Sequence, residues 1–532
     1  VTDPSPEPPA STRPGRTRGT RLRRLGASIT DSFPQIHRVN AAVVAAVVAV
    51  AAGIQWAMLR PPYPSDSMSY FKWAERLGHN QIHHGPTRLG VVLPVRLAQE
   101  IFGTSEAAYY VVPFLMTLLL IGAVYVLGTQ IAGNGAGLVA AVTMAGSTLV
   151  LKLSSQIVPD PFAAAWFVFG LVCFFAARSS PRRTWWLTAG AVAIGLAYLC
   201  RAYTVFLAPV LLFVGWTTGW RRRDWIRLGA VLVATLGIEM ILMVVLFDDP
   251  LARFRALAGF AERGTTGEST RLVAYGEGAS LWTVLTRSPI TFAHYAVGIL
   301  LLLSALAGIA LAILNRPRRW LWSMLVLWVA SLWVPMMVLA GIFDPQHPHI
   351  RDNRIRYWYL VIPALYLLLG AVSMATVRAM RIRGIRWVAG VLVGILLVGA
   401  VAYDLHNEPP GTEFRAFGAT QWDEVRDWLR RDGDTISRIY TDSRMAMVLP
   451  LYTNEVFGGS IWDGEIVVFE HNSEFLPTGE MDGAILLHEL GLTYLGNRDL
   501  TVPADYFDPG PGWLTAVRRG DGTLTIVVPR HP

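Results

Sequence analysis

The sequence predicts a polytopic α-helical membrane protein with a soluble α/β domain at its C-terminal end. Three observations lead there. The 532-residue chain has a mean hydropathy of +0.40 and only 16% charged residues, too apolar for a soluble chain of that length. Eleven apolar segments can be drawn along it, each about as long as a bilayer core requires. The short connections between these segments alternate in charge, every second one being basic.

Residues 1–38 are rich in Pro, Ser and Arg and read as a disordered cytoplasmic tail. The apolar run Val39–Leu59 has no small-residue cleavage site before Pro61, so it reads as a signal anchor. The remaining spans are expected at 107–127, 135–152, 161–177, 185–201, 203–219, 226–247, 291–314, 320–342, 357–376 and 386–403. Trp185, Trp186, Trp320, Trp322 and Tyr357–Tyr359 flank several of them, as aromatics do at a membrane interface. The pair 185–201 and 203–219 is one apolar stretch broken at Cys200-Arg201-Ala202-Tyr203. Joining them would move Arg221–Arg223 and Arg316–Arg319 to the other side, so two spans are preferred.

The basic connections hold Arg21, Arg23 and Arg24, then Arg178–Arg183, Arg221–Arg223, Arg316–Arg319 and Arg378–Arg386. By the positive-inside rule they face the cytoplasm. The expected placement is the plasma (inner) membrane, with the N-terminus cytoplasmic and the C-terminal domain extracytoplasmic. The net charge of +8 is therefore read as orientation and lipid-headgroup contact, not as nucleic-acid binding. Cys173 and Cys200 lie in apolar runs and read as free packing thiols without metal-ligand spacing.

Among the outer connections, residues 60–106 form a long one. There Asp66–Leu77 puts Tyr70, Trp73 and Leu77 on one helical face and Lys72, Glu75 and Arg76 on another, the pattern of an interfacial helix. The connection at 248–290, with four glycines between 264 and 278, reads as a mobile loop over a site. From Asp404 onward the chain is acidic, with 21 of the 38 acids and ten of the 46 basic residues. A soluble domain at 404–532 is expected, with an amphipathic helix at Gln421–Arg431 and strands at Arg438–Thr441 and Ala484–Leu487. A hairpin is expected from Leu514–Val517 and Thr523–Val528. The membrane domain is then 39–403.

Two aspartates on outer connections are the candidates for chemistry. Asp66 opens the interfacial helix, where it is either an N-terminal cap or a base for an acceptor hydroxyl. Asp160, between Pro159 and Pro161, invites the same two readings. His83 and His84 are a pair without a third metal ligand in sequence reach. Arg201 sits at an outer span end, where it either snorkels or binds an anion. Arg351, Arg354 and Arg356 run against the positive-inside trend, so an anionic ligand is their plausible partner.

Taken in order and sidedness, these features resemble the GT-C superfamily of polytopic glycosyltransferases, near its protein O-mannosyltransferases and lipid A aminoarabinose transferases. The resemblance rests on Asp66 with Tyr70, His84–Pro86, Leu93-Pro94, Ile101–Gly103, Pro159-Asp160, Arg201 and Arg356-Tyr357 with Pro363. It departs from the mannosyltransferases in two places. Asp66 is followed by Ser67 where an acidic pair is usual, and Gly85 stands within the usual His-Pro-Pro. The acidic tail resembles the outer domains of actinobacterial arabinofuranosyltransferases, without a matched motif.

The resemblance implies a fold of about eleven transmembrane helices and an inverting transfer from a polyprenyl-phosphate sugar to an envelope glycan, lipid or protein. Asp66 and Asp160 are then the catalytic pair. Arg351, Arg354, Arg356, Tyr357 and Arg201 hold the donor phosphate, and Tyr70, His83, His84, Arg88 and Gln156 line the substrate site. A divalent cation is left open. The competing readings are a transporter or flippase of a lipid-linked sugar, and an oligosaccharide ligase.

Overall fold

Long apolar runs of Leu, Val, Ala and Phe with short polar breaks fold as helices, because only a helix satisfies every backbone group away from water. The computed structural model bears this out. It describes residues 40–59, 62, 65–265, 281–339, 355–380, 382–407, 419–468, 483–488, 513–518 and 524–529. The N-terminal tail lies outside the described residues.

The helices are α1 (Ala41–Ala57), α2 (Asp66–Glu75), α3 (Leu89–Phe102), α4 (Glu106–Ala132), α5 (Asn134–Gly146), α6 (Thr148–Ser154), α7 (Pro159–Ser179), α8 (Arg183–Cys200) and α9 (Ala208–Thr217). They continue with α10 (Arg222–Phe247), α11 (Ala252–Thr265), α12 (Leu281–Ala293), α13 (Ala296–Leu314), α14 (Arg319–Leu339), α15 (Ile362–Ala379) and α16 (Arg383–Asn407). Short 3-10 turns at Ala202–Leu207 and Ile355–Trp358 lead into α9 and α15.

The chain is a multi-pass membrane protein. Among the described residues seven helices are long and apolar enough to cross a bilayer, and the pair α5 and α6, bent by 60°, adds an eighth as one span. Each of the eleven predicted segments is largely helical in its described residues, but 135–152 breaks at Ser147, 291–314 breaks at His294–Tyr295 between α12 and α13, and 357–376 becomes α-helical only from Ile362. Those that fall short of that criterion are α1, the 202–217 segment and α8, whose Trp, Thr and Gly residues dilute its apolar run. The split at Arg201 is present: α8 ends at Cys200 and a new turn begins at Ala202.

Helices in lipid gain little from burying apolar surface against each other, so close contact depends on small residues. A Cβ on Gly128 of α4 would lie 2.7 Å from Gly137 Cα of α5. One on Gly170 of α7 would lie 3.2 Å from the Gly190 carbonyl of α8. α7 is the most deeply buried of the long spans, with Phe162, Phe167 and Phe174 fully buried. By contrast α10 and α16 expose Val233, Ile241, Val245, Leu392, Ile395 and Val398, the faces expected to meet lipid. One carboxylate ties this periphery to the bundle. Asp404 of α16 accepts from Ala296 N (2.6 Å) and Val297 N (2.9 Å), capping α13 from a neighbouring helix.

The C-terminal part is an α/β unit. It holds α17 (Ala419–Asp432), β1 (Arg438–Thr441), α18 (Ser443–Tyr452), β2 (Glu465–Val468), β3 (Ala484–His488), β4 (Trp513–Arg518) and β5 (Leu524–Pro529). Sheet order is β2-β1-β3-β5-β4, with β1 parallel to both neighbours and β5 antiparallel to β3 and β4. The predicted strands and hairpin are present; β2 and α18 were not expected. The four residues of β2 do not alternate in burial, the outer two being exposed and the inner two half-buried, and Pro450 inside α18 masks its helical pattern. Of the connection predicted as a mobile loop, residues 252–265 and 281–290 are helical, and 266–280 lie outside the described residues.

Candidate active site

Two helix starts meet at the end of the bundle that carries the sheet. Ser65, with extended backbone (φ −155°), caps α2 by accepting from Ser67 N at 3.2 Å. Asp66 is thereby released from the capping role the sequence also allowed. Its carboxylate accepts a hydrogen bond from Arg356 Nη1, and 61% of its side chain stays accessible. Asp160 is likewise no cap. α7 begins at Pro159 after Val158, two residues before the expected start, and Asp160 lies inside the first turn. It is buried, with Arg201 Nε at 3.0 Å and the Tyr203 hydroxyl donating to Oδ1.

The two starts are stitched together through Ser67. Its hydroxyl accepts from Ile157 N at 2.6 Å and shares a 2.7 Å hydrogen bond with the Tyr109 hydroxyl of α4. A third connection closes the group. Gly90 lets α3 press against the end of α8, where any Cβ would meet Cys200 N at 2.7 Å. That contact brings Arg88 beside Arg201. Arg88 Nη1 donates to the Tyr70 hydroxyl and stands 5.8 Å from that ring. Arg201 lies 4.7 Å from the Tyr203 ring and 5.4 Å from the Tyr357 ring, and Arg356 lies 5.1 Å from Tyr357. Aromatic faces thus shelter three guanidinium groups that would otherwise repel.

Among Asp66, Asp160, Arg88, Arg201 and Arg356, one positive charge is in excess. Burial alone would raise the Asp66 carboxyl; the Arg356 guanidinium beside it, with Arg88 behind, holds it below the usual carboxylate range. His84 is pushed down to about 3, first by burial and then by Arg88 and His83, so it is neutral at physiological pH. Arg356 keeps its charge, because Tyr357 and Asp66 outweigh its burial. Its Nε is buried with no hydrogen-bond partner among the described residues, which leaves a donor for a ligand.

The His83 and His84 rings pack against each other, tilted by 49° with centroids 3.9 Å apart, and the Trp73 ring lies 5.6 Å from His83. Gly85 is needed here: a Cβ would lie 2.0 Å from Trp73 Cζ3, so the indole takes the place of a second proline. Gln156 is buried and donates to the Lys152 carbonyl at 3.0 Å, within its own turn rather than toward the arginines. Arg351 and Arg354 lie outside the described residues. No three His, Cys, Asp or Glu side chains among the described residues converge as metal ligands, and arginines engage both aspartates.

Sequence reasoning passed over three participants. Tyr203 is a ligand to Asp160, Ser67 bridges the two helix starts, and Tyr109 supports Ser67. Only Tyr203 left a signal, as the polar break between two apolar runs. A fourth omission is Glu239, buried within α10 and paired with Arg253 of α11. Arg253 Nη2 also donates to the Tyr198 carbonyl at 2.6 Å. Nearby, an apolar cavity of about 380 Å³ is lined by Ile194, Gly195, Tyr198, Leu211, Leu232 and Phe254, among others.

Residues 90–246 match the family model for dolichyl-phosphate-mannose-protein mannosyltransferase. No curated protein sequence matches the chain. Apo ArnT from Cupriavidus metallidurans is similar at TM-score 0.50 and 14% identity, over 91% of this chain and 97% of ArnT. The same ArnT bound to undecaprenyl phosphate aligns at TM-score 0.49 and 14% identity, over 92% and 98% of the two chains. The Archaeoglobus fulgidus oligosaccharyltransferase aligns at TM-score 0.47 and 15% identity, over 81% of this chain, which spans 64% of the archaeal protein. By its helical bundle, the small C-terminal sheet and the match over 90–246, the chain has the fold of the GT-C superfamily of membrane glycosyltransferases.

Proposed function

We propose that the protein is an inverting glycosyltransferase that moves a sugar from a polyprenyl-phosphate carrier to an envelope glycan, lipid or protein. The observation that carries this reading is an accessible carboxylate, Asp66, beside three aromatic-sheltered arginines with one positive charge to spare. A carboxylate held ionised accepts a proton from a hydroxyl; the arginines meet the charge that develops on a departing phosphate. The acceptor oxygen bonds to the anomeric carbon as the carbon–oxygen bond to phosphate breaks. The bonding pair leaves with the phosphate and Asp66 takes the proton. A phosphate monoester leaves without protonation near neutral pH, so a base suffices. Undecaprenyl phosphate, which the solved ArnT binds, belongs to this carrier class.

In this reading Arg356, Arg201 and Tyr357 receive the phosphate, with Arg351 and Arg354 assigned to the same role from sequence alone. Asp160 holds Arg201 in place. Tyr70, His83, His84 and Arg88 shape the sugar side, and His84, being neutral, offers a hydrogen bond without added charge. The apolar cavity beside Tyr198, three residues before Arg201, takes part of the isoprenoid chain. The proposed boundaries are 39–403 for the membrane domain and 404–532 for the outer domain. The site faces the extracytoplasmic side of the plasma (inner) membrane. Arginine-rich connections at 178–183, 221–223 and 316–319 lie at the opposite helix ends and support that orientation.

The test uses detergent-solubilised protein, a labelled polyprenyl-phosphate sugar and a membrane extract as acceptor source. Transfer of label without sealed vesicles supports the reading, and the product mass separates one sugar from a preassembled oligosaccharide. Movement of label across sealed vesicles without covalent transfer marks a transporter and sinks it. The intramembrane charge Glu239 offers that alternative no support, because Arg253 neutralises it in place.

A further inference from the structure

The α/β unit grips both ends of the connection that carries Asp66. At its start, the Tyr452 hydroxyl at the end of α18 donates to the buried Pro62 carbonyl at 2.8 Å. Only three residues separate Pro62 from Asp66, and one of them, Pro64, further narrows the freedom of the backbone. At the other end, Arg426 of α17 pairs with buried Glu106, the first residue of α4, and reaches the Asn454 carbonyl at 2.6 Å. Ala107 N donates to the Val456 carbonyl at 2.7 Å, and Asn454 Nδ2 donates to the Thr104 carbonyl at 3.3 Å. Tyr109, three residues beyond Glu106, then holds Ser67, the neighbour of Asp66. The same short segment, 452–456, therefore contacts residues 62, 104 and 107.

We propose that the α/β unit is a clasp for the Asp66 connection, with Tyr452 and Arg426 as positioning residues that set where the carboxylate stands relative to Arg356. The proposal rests on the assignment of Asp66 as base. It gives the unit a part in the transfer step that does not depend on holding an acceptor. Glu106 and Arg426 are both buried, so their pairing fixes one geometry; a surface pair would slide. Tyr452 adds reach without charge.

The experiment compares the full-length wild type with Tyr452→Phe, Arg426→Gln and Asp66→Asn in detergent. Two readouts are taken: amide hydrogen exchange of residues 65–75, and turnover against pH. Tyr452→Phe removes one hydroxyl and leaves the ring packed. It is expected to speed exchange in α2 about fivefold, the effect of one lost hydrogen bond, while exchange in α7 stays unchanged. Turnover is expected to fall with the donor KM unchanged. The acid limb of the pH profile is expected to move up, as Asp66 drifts from Arg356. Arg426→Gln should show the same pattern, larger. Unchanged exchange in α2 overturns the clasp. Faster exchange with wild-type turnover and pH profile overturns the positioning role. An active Asp66→Asn protein overturns the base assignment itself, and with it the reason for a clasp, so the two failures are told apart.

Discussion

Asp66 and Asp160 begin as near equals in the sequence and end in opposite environments. Each follows a proline-containing turn and opens a helix; each had capping as its plain explanation. In the structure neither caps. Asp66 is accessible and held by one arginine; Asp160 is buried beneath Arg201 and Tyr203. The difference separates two duties a carboxylate can have in one site. An accessible, ionised group can exchange protons with a substrate. A buried, twice-engaged group is committed to holding its neighbours.

Breaking the buried member should have the largest effect. Asp160→Asn strands the Arg201 charge in a low-dielectric pocket, which costs about 3–5 kcal/mol when one partner of a buried pair is removed. A clear drop in melting temperature and loss of turnover are expected together. A melting temperature equal to wild type would show that Asp160 is not the structural partner. Asp66→Asn should do the reverse. Turnover falls about 100-fold or more, the contribution of a general base, with the thermal midpoint unchanged.

Removing Arg356 sharpens the contrast by altering Asp66 without touching it. In Arg356→Gln the strongest opposition to the burial that raises the Asp66 carboxyl is lost and chiefly Arg88 stands against it, so its pKa rises. As the proposed base Asp66 would work only when ionised, so activity should be lost at a higher pH on the acid side than in the wild type. Affinity for a polyprenyl-phosphate analogue should drop about tenfold, as for a lost charge-assisted hydrogen bond. An acid limb that stays in place would separate Arg356 from Asp66. The smallest effect is expected from Ser65→Ala, which removes the cap of α2 and costs about 1 kcal/mol. A larger loss from Asp66→Ala than from Ser65→Ala in a stability assay would return the cap to Asp66.

The helices were legible because apolar length and charged punctuation survive in one dimension. The site was legible only as separate pieces. Asp160, Arg201 and Arg356 stood out as polar residues at span ends, Asp66 as the start of an interfacial helix, and Arg88 only through the family resemblance. Their pairing did not, because Asp66 and Arg356 are 290 residues apart and no local spacing encodes such a contact. Ser67 was invisible for a different reason. A serine beside an aspartate carries no pattern, and its role comes from Tyr109 of α4 and from Ile157 in the connection before α7. Gly85 looked like a lapse from a family motif until Trp73 was found lying over its backbone.

The clasp also bears on how the chain is made. Synthesis runs from the N-terminus, so the connection bearing Asp66 emerges hundreds of residues before Arg426 and Tyr452. Its two ends cannot receive their final hydrogen bonds until residues 426–456 have been translated and have folded. Glu106 must wait through the insertion of every later helix without its arginine. A ribosome stalled before residue 426 would therefore release a bundle with its helices threaded and its reacting end unfinished. In the proposed reading, the reacting end of the bundle is complete only once the α/β unit has docked on it.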